Sequence, residues 1–154
     1  MSGRRYGGRT SRLAAGLIAF LAGASLLGGC SSASVSVSAG PTATAAPAAG
    51  SSLNAAEFAA AAKRPDSVLL DVRTAAEFAA GHLQGAVNID VESPEFAAGI
   101  AGLDPSKTYA VYCRSANRSK VAMTAMQAAG FTSLYDLAGG INAWKSAGGE
   151  VVTG

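Results

Sequence analysis

From residue 52 onward, short apolar runs alternate with stretches whose apolar positions recur at helical spacing. The runs "SVLLDV" (67–72), "AVNID" (86–90), "TYAVYC" (108–113) and "SLYDL" (133–137) read as strands. They lack clean polar alternation, which points to burial on both faces. Between them lie helix-start signals. Asn54 with Glu57 and Thr74 with Glu77 each have the cap-x-x-Glu spacing of a capping box. Leu53 and Phe58 are placed to staple the first helix. Ser93 followed by Pro94 is a cap with proline at the first helical position. "LDPSK" (103–107) reads as a turn, "SKVAMTAMQAAG" (119–130) as a helix stopped by Gly130, and "INAWKSAGG" (141–149) as a last short helix. The two "AAEFAA" stretches, at 55–60 and 75–80, are two alanine-rich helices with similar caps, not a solenoid repeat. Strands alternating with helices predict an α/β domain over 52–154, a parallel sheet with helices on both faces.

The first 51 residues have a different grammar. Residues 1–12 hold Arg4, Arg5, Arg9 and Arg12 and no acid, and "LAAGLIAFLAGASLL" (13–27) is apolar. A basic start, a short apolar run and small residues describe a secretory signal peptide over 1–29. A transmembrane anchor is the rival reading, disfavoured because the run is short and glycine-rich. "LGGC", Leu27 to Cys30, resembles the bacterial lipobox, which implies lipid on Cys30, export, and a domain held outside the cytoplasm on the cell membrane. Ordinary cleavage leaving a free Cys30 is the alternative. Arg4–Arg5 hints at twin-arginine export, but "YGG" follows where apolar residues are usual. Residues 31–51 are Ser, Ala, Gly, Pro and Thr apart from Val35 and Val37, and carry no charge. With Cys30 they read as a flexible linker, roughly 25 Å long as a coil.

Composition narrows the function classes. Apolar residues make up 49% of 154 and charged ones 14%. The net charge of +2 misleads: four of the twelve basic residues lie in the first 12, which leaves eight against ten acids beyond them. No basic stripe interleaved with aromatics exists, so nucleic acid is rejected as a partner. One histidine and two distant cysteines cannot build a closed zinc site.

The chemistry concentrates at "YCRSANRS" (112–119). Cys113 ends an apolar strand, and a polar loop with Arg114 and Arg118 leads into a helix. Sites in parallel sheets lie beyond the carboxyl ends of strands. Backbone N–H groups of such a loop, with the positive end of the helix dipole, favour an anion. A thiolate there is a nucleophile, and the same cradle would hold an anionic sulfur carried on it. No acid–base partner is obvious nearby. The bland alternatives are an inert buried cysteine and a disulfide to Cys30, which lipid on Cys30 would forbid.

Four blocks together resemble a single-domain rhodanese, a sulfurtransferase: "LLDVR" with "EF", "GHLQGAVN", "YCRSANRS" and "LAGGINAWKSAG". The resemblance covers 53–154. It implies that Cys113 carries sulfur as a persulfide. It implies that Arg114, Ser115, Ala116, Asn117 and Arg118 form a loop whose amides cradle the outer sulfur. Arg118 would help to orient an anionic donor such as thiosulfate, and Ser119 would open the next helix. A thiol or other thiophile would accept the sulfur, with no cofactor. The family often has glycine where this chain has Ala116. If that position needs positive φ, alanine there costs about 1–2 kcal/mol.

Rival readings remain in view. A non-catalytic binding module or a sulfur carrier serving one partner protein has the same signature, and a thiol redox sensor would form sulfenic acid instead. A cysteine phosphatase is disfavoured: Arg118 follows Cys113 after four residues rather than five, and Tyr112 stands where histidine is usual. His82 is expected to close a turn, Asp71 and Arg73 to form a structural pair, Glu77 to complete a capping box, and Trp144, Met123 and Met126 to pack the core.

Overall fold

The structure is a computed structural model that describes residues 35–154. Its order is β1 (Ser52–Leu53), α1 (Ala55–Ala62), β2 (Ser67–Asp71), α2 (Ala75–Ala79), β3 (Val87–Asn88), α3 (Phe96–Ala101), β4 (Thr108–Tyr112), α4 (Asn117–Ala128), β5 (Leu134–Leu137) and α5 (Gly140–Ser146). The five strands form one sheet in the order β1-β5-β4-β2-β3, and every pairing is parallel. The expected parallel α/β architecture is therefore the observed one.

Alternation along the strands sorts the core into two layers. Ala110 and Tyr112 of β4 join Tyr135 and Leu137 of β5 on one face, against Phe58, Ile141 and Trp144 of α1 and α5. Tyr109, Val111 and then Cys113 join Leu134 on the other face, against Phe96, Ile100, Ala122, Met123 and Met126 of α3 and α4. Successive side chains of a strand point to opposite faces, so this split follows from period two. β2 runs in register with β4, Ser67 opposite Thr108 and Asp71 opposite Tyr112. The two strands thus end together, and Arg73 and Cys113 emerge at the same edge.

Three local expectations change. The helix expected from Ser93 and Pro94 begins at Phe96. Ser93 Oγ accepts from Glu95 N at 3.1 Å, and Phe96 N bonds Ser93 O at 3.1 Å, so the entry is a tighter i-to-i+3 turn. The helix expected from Ser119 begins at Asn117, so Ser119 lies inside its first turn instead of opening it. The third change concerns the linker. Residues 35–51 lie against the domain, with Val35, Val37 and Ala43 packed on the first core layer. Lys63 Nζ donates to Ser36 O at 2.8 Å and also to Ala39 O. Ala43 N bonds Ala60 O at 2.8 Å, and Gly50 N bonds Leu134 O at 2.7 Å. The arm then supplies β1, which pairs with β5 and had no pattern of its own. The expected signal peptide over 1–29, with its arginines, and Cys30 lie outside the described residues. Among the described residues no helix is long and apolar enough to cross a membrane.

Candidate active site

Cys113 follows the last residue of β4, a central strand, and is 1% exposed. Its sulfur lies 3.9 Å from Ser119 Oγ. The loop leaves β4 and turns at Ala116, whose φ of 74° is the sole positive value at a non-glycine among the described residues. That left-handed residue is the N-cap of α4 and offers no side-chain cap. Among the described residues the N–H groups of Ser115, Ala116, Asn117 and Arg118 have no protein acceptor. Free amides at the start of a twelve-residue helix are donors awaiting an anion.

The loop is braced from behind by α5. Ile141 N donates to Cys113 O at 2.8 Å and Asn142 N to Arg114 O at 3.2 Å. This contact explains the second glycine of the "GG" in the terminal block. A Cβ on Gly140 would stand 2.4 Å from Cys113 O and 2.5 Å from the Arg114 carbonyl carbon. Only glycine lets α5 approach the loop backbone this closely.

In front of the loop lies a cleft of about 400 Å³, lined by Thr74, Glu77, Glu92, Arg114, Ser115, Asn117 and Arg118. Arg114 is exposed and has no ion-pair partner among the described residues. Arg118 is held by two carboxylates, bonding Glu77 through Nη1 and Nη2 at 2.8 Å each and Glu92 through Nη1 at 2.9 Å. The Arg118 guanidinium, opposed by partial burial and helped by the Thr74 amide, holds the Glu77 carboxyl at about 2. Reciprocally, Glu77 and then Glu92 hold Arg118 above the ordinary guanidinium range. Glu77 does complete the capping box with Thr74. Its second role, tying α2 to α4, could not be seen from cap spacing alone, and Glu92 had no sequence signal at all.

The remaining residues support this edge. Arg73 Nε donates to both oxygens of Asp71, at 2.9 and 3.0 Å, and the pair is buried. Asn88 Nδ2 donates to Asp71 O at 3.0 Å and Arg73 O at 2.8 Å, which ties the "GAVN" block to "LLDVR". Burial, with the Asp71 charge beside it, pushes the Tyr112 phenol far up, and its oxygen accepts from Leu83 N at 3.0 Å. His82 closes a turn: it stacks on Phe78, Nδ1 lies 3.0 Å from Phe78 O, and its backbone exchanges bonds with Val152. Trp144, Met123 and Met126 are buried in the core.

Sequence reading missed Asp136. Its side chain is 1% exposed and accepts from Ser119 Oγ at 2.9 Å and from Ser52 Oγ. By strand alternation it shares the face of Leu134, and hence of Cys113. The signal was an acid inside the otherwise apolar "LYDL".

The chain is similar to known proteins. The chain is 36% identical over 89 residues to thiosulfate sulfurtransferase 16, chloroplastic, of Arabidopsis thaliana, covering 51% of this chain and 74% of that protein. It is 32% identical over 91 residues to the thiosulfate sulfurtransferase GlpE of Pseudomonas fluorescens, covering 58% of this chain and 81% of that protein. Other relatives are longer: the match spans 44%, 19% and 38% of three of them. Among solved structures, a rhodanese-related protein from Thermoplasma volcanium superposes with a TM-score of 0.60 at 32% identity, over 68% of this chain and 99% of that one. The family model for the rhodanese-like domain matches residues 54–147, and the chain belongs to that family.

Proposed function

We propose that this domain is a sulfurtransferase in which Cys113 carries sulfane sulfur as a persulfide. The observation that carries the reading is a single cysteine at a strand end, followed by a loop whose four amides have no protein acceptors among the described residues, with an uncommitted guanidinium, Arg114, in the same loop. Such a site suits the anionic outer sulfur of a persulfide. In the first step the Cys113 thiolate attacks the outer sulfur of thiosulfate. The new bond joins the two sulfurs, the sulfur–sulfur bond of thiosulfate breaks, and sulfite leaves with the electron pair. In the second step a thiophile such as cyanide attacks the outer sulfur and restores the thiolate. Ser115, Ala116, Asn117 and Arg118 supply the amides. Arg114 meets the donor, while Arg118 keeps the loop tied to Glu77 and Glu92. Arg118 thus acts on the donor through loop geometry more than through free charge.

A sulfur carrier loaded by a partner protein's persulfide is the second reading. The pairing of Arg118 with two carboxylates favours it, because among the described residues the cleft offers a free dianion only one unpaired cation, Arg114. We further propose that the chain is an exported lipoprotein. The support is the "LGGC" pattern after a basic and then apolar start.

Mass measurement after incubation with thiosulfate tests the enzyme reading. A gain of about 32 Da, reversed by cyanide and absent in Cys113→Ser, is expected for a persulfide on a reactive thiolate. Loading from a protein persulfide but not from thiosulfate would select the carrier. No adduct from any sulfane donor would leave neither. Fatty-acid labelling in the native host tests the anchor, with incorporation expected in the full chain and none in Cys30→Ala.

A further inference from the structure

We infer that Cys113 and Asp136 share one proton through Ser119, so that the sulfur becomes anionic without a second charge appearing in the buried site. The inference rests on the persulfide reading above and deepens it.

Three buried groups form a directed chain. Ser119 Oγ has one hydrogen and two acceptors in reach, Asp136 Oδ2 at 2.9 Å and Ala116 O at 3.0 Å. The carboxylate is the stronger acceptor, since hydrogen bonds to ionised groups are the stronger ones. With that hydrogen directed at Asp136, a lone pair of Ser119 is free for the Cys113 thiol, whose sulfur stands 3.9 Å away as the donor. Sulfur hydrogen, serine hydrogen and carboxylate are thus in series. Cys113, Ser119 and Asp136 are 1%, 0% and 1% exposed, so bulk water is no ready proton acceptor at the sulfur.

Asp136 is placed for the receiving role. Its oxygens accept only hydroxyl hydrogens, from Ser119 and from Ser52, and it has no cation partner among the described residues. The strand-end ion pair Asp71–Arg73 is closed on itself, and Arg118 is closed on Glu77 and Glu92. A buried carboxylate without a cation is costly, and a thiolate beside it would make two such charges. Passing the thiol proton to Ser119 while the Ser119 proton passes to Asp136 leaves one negative charge throughout. Before reaction the pair is thiol and carboxylate; after attack it is persulfide anion and neutral acid. Asp136 acts through Ser119 and touches no reacting atom.

The test counts protons per persulfide formed. Benzenethiosulfonate is the donor, because its benzenesulfinate product takes up no proton near neutrality. The Cys113 thiolate attacks its outer sulfur, the bond to the sulfonyl sulfur breaks, and sulfinate leaves with the electron pair. In weakly buffered solution with an indicator dye, the unaltered protein should release close to no proton per persulfide. Asp136→Asn, which leaves the thiol proton no internal acceptor, should form the persulfide more slowly and release one proton to solution for each persulfide that forms. Difference infrared spectra of the unaltered protein supply a readout independent of any variant's folding. Persulfide formation should bring in the carbonyl stretch of a neutral carboxylic acid, and Asp136→Asn should lack it. Equal proton counts from both proteins, or no new acid band, would overturn the shared proton while leaving the persulfide intact. Absence of the mass gain would remove the proposed function, and this inference with it.

Discussion

Ala116 shows how one side chain can be at odds with its place. Its φ of 74° lets the loop turn from β4 directly into α4, yet alanine is poorly suited to the left-handed region. The strain is about 1–2 kcal/mol for a residue with a Cβ. Glycine would relieve it but make the unfolded chain freer, an offset of about 0.4–1 kcal/mol. Ala116→Gly should therefore stabilise the domain by about 0.5–1 kcal/mol, read as a higher denaturation midpoint with an unchanged slope. Persulfide loading should survive, since the amides keep their places. A lower midpoint would mean that the buried methyl contributes more than the backbone loses.

At the scale of elements, α2 and α4 are joined by charge rather than by packing. α2 buries none of its five residues, so its hold on the site runs largely through its capping box and the Glu77–Arg118 pair. Glu77 titrates at about 2 in the fold, below its unfolded value of about 4.3. A depressed carboxyl contributes stability above its unfolded value and loses it as pH falls through the folded one. The contribution should be full above about pH 4.5 and gone near pH 2. Glu77→Gln keeps an N3 side chain able to cap, which isolates the charge. The variant should be less stable at neutral pH by on the order of 1 kcal/mol, a figure trimmed by solvent screening of this partly exposed pair. The gap should close in acid and shrink in salt. A pH-independent difference in denaturation midpoints would assign the loss to the cap instead.

On the scale of the whole molecule, the arm makes the domain larger than its family match. Residues 35–51 lie on α1 and β5, beyond the 54–147 of the family model. Lys63 fastens the arm by donating to two of its carbonyls. Lys63→Ala should raise the hydrogen-exchange rate of Ala43, whose amide bonds Ala60 O. It should leave Gly50, bonded to Leu134 O, protected. Unchanged protection at Ala43 would mean that Val35 and Val37 hold the arm without the lysine.

Much of this was legible before folding because it is local. Cap spacing depends on residues three apart, and both boxes form at Asn54–Glu57 and Thr74–Glu77. Strand runs buried on two faces announce a parallel sheet, and the cysteine at a strand end locates the loop. What stayed hidden depends on residues distant in the chain. Arg118 meets Glu77 and Glu92, 41 and 26 residues away, so its charge is committed in a way no loop motif displays. Asp136 reaches Ser119 across 17 residues because β5 happens to pair with β4 and present that face. The arm, poor in large apolar groups, settles only because α1 and the sheet have already built a surface for two valines and a lysine to grip it. Local chemistry determined which residues could react; the pairing of distant strands and helices decided which charges remain free to do so.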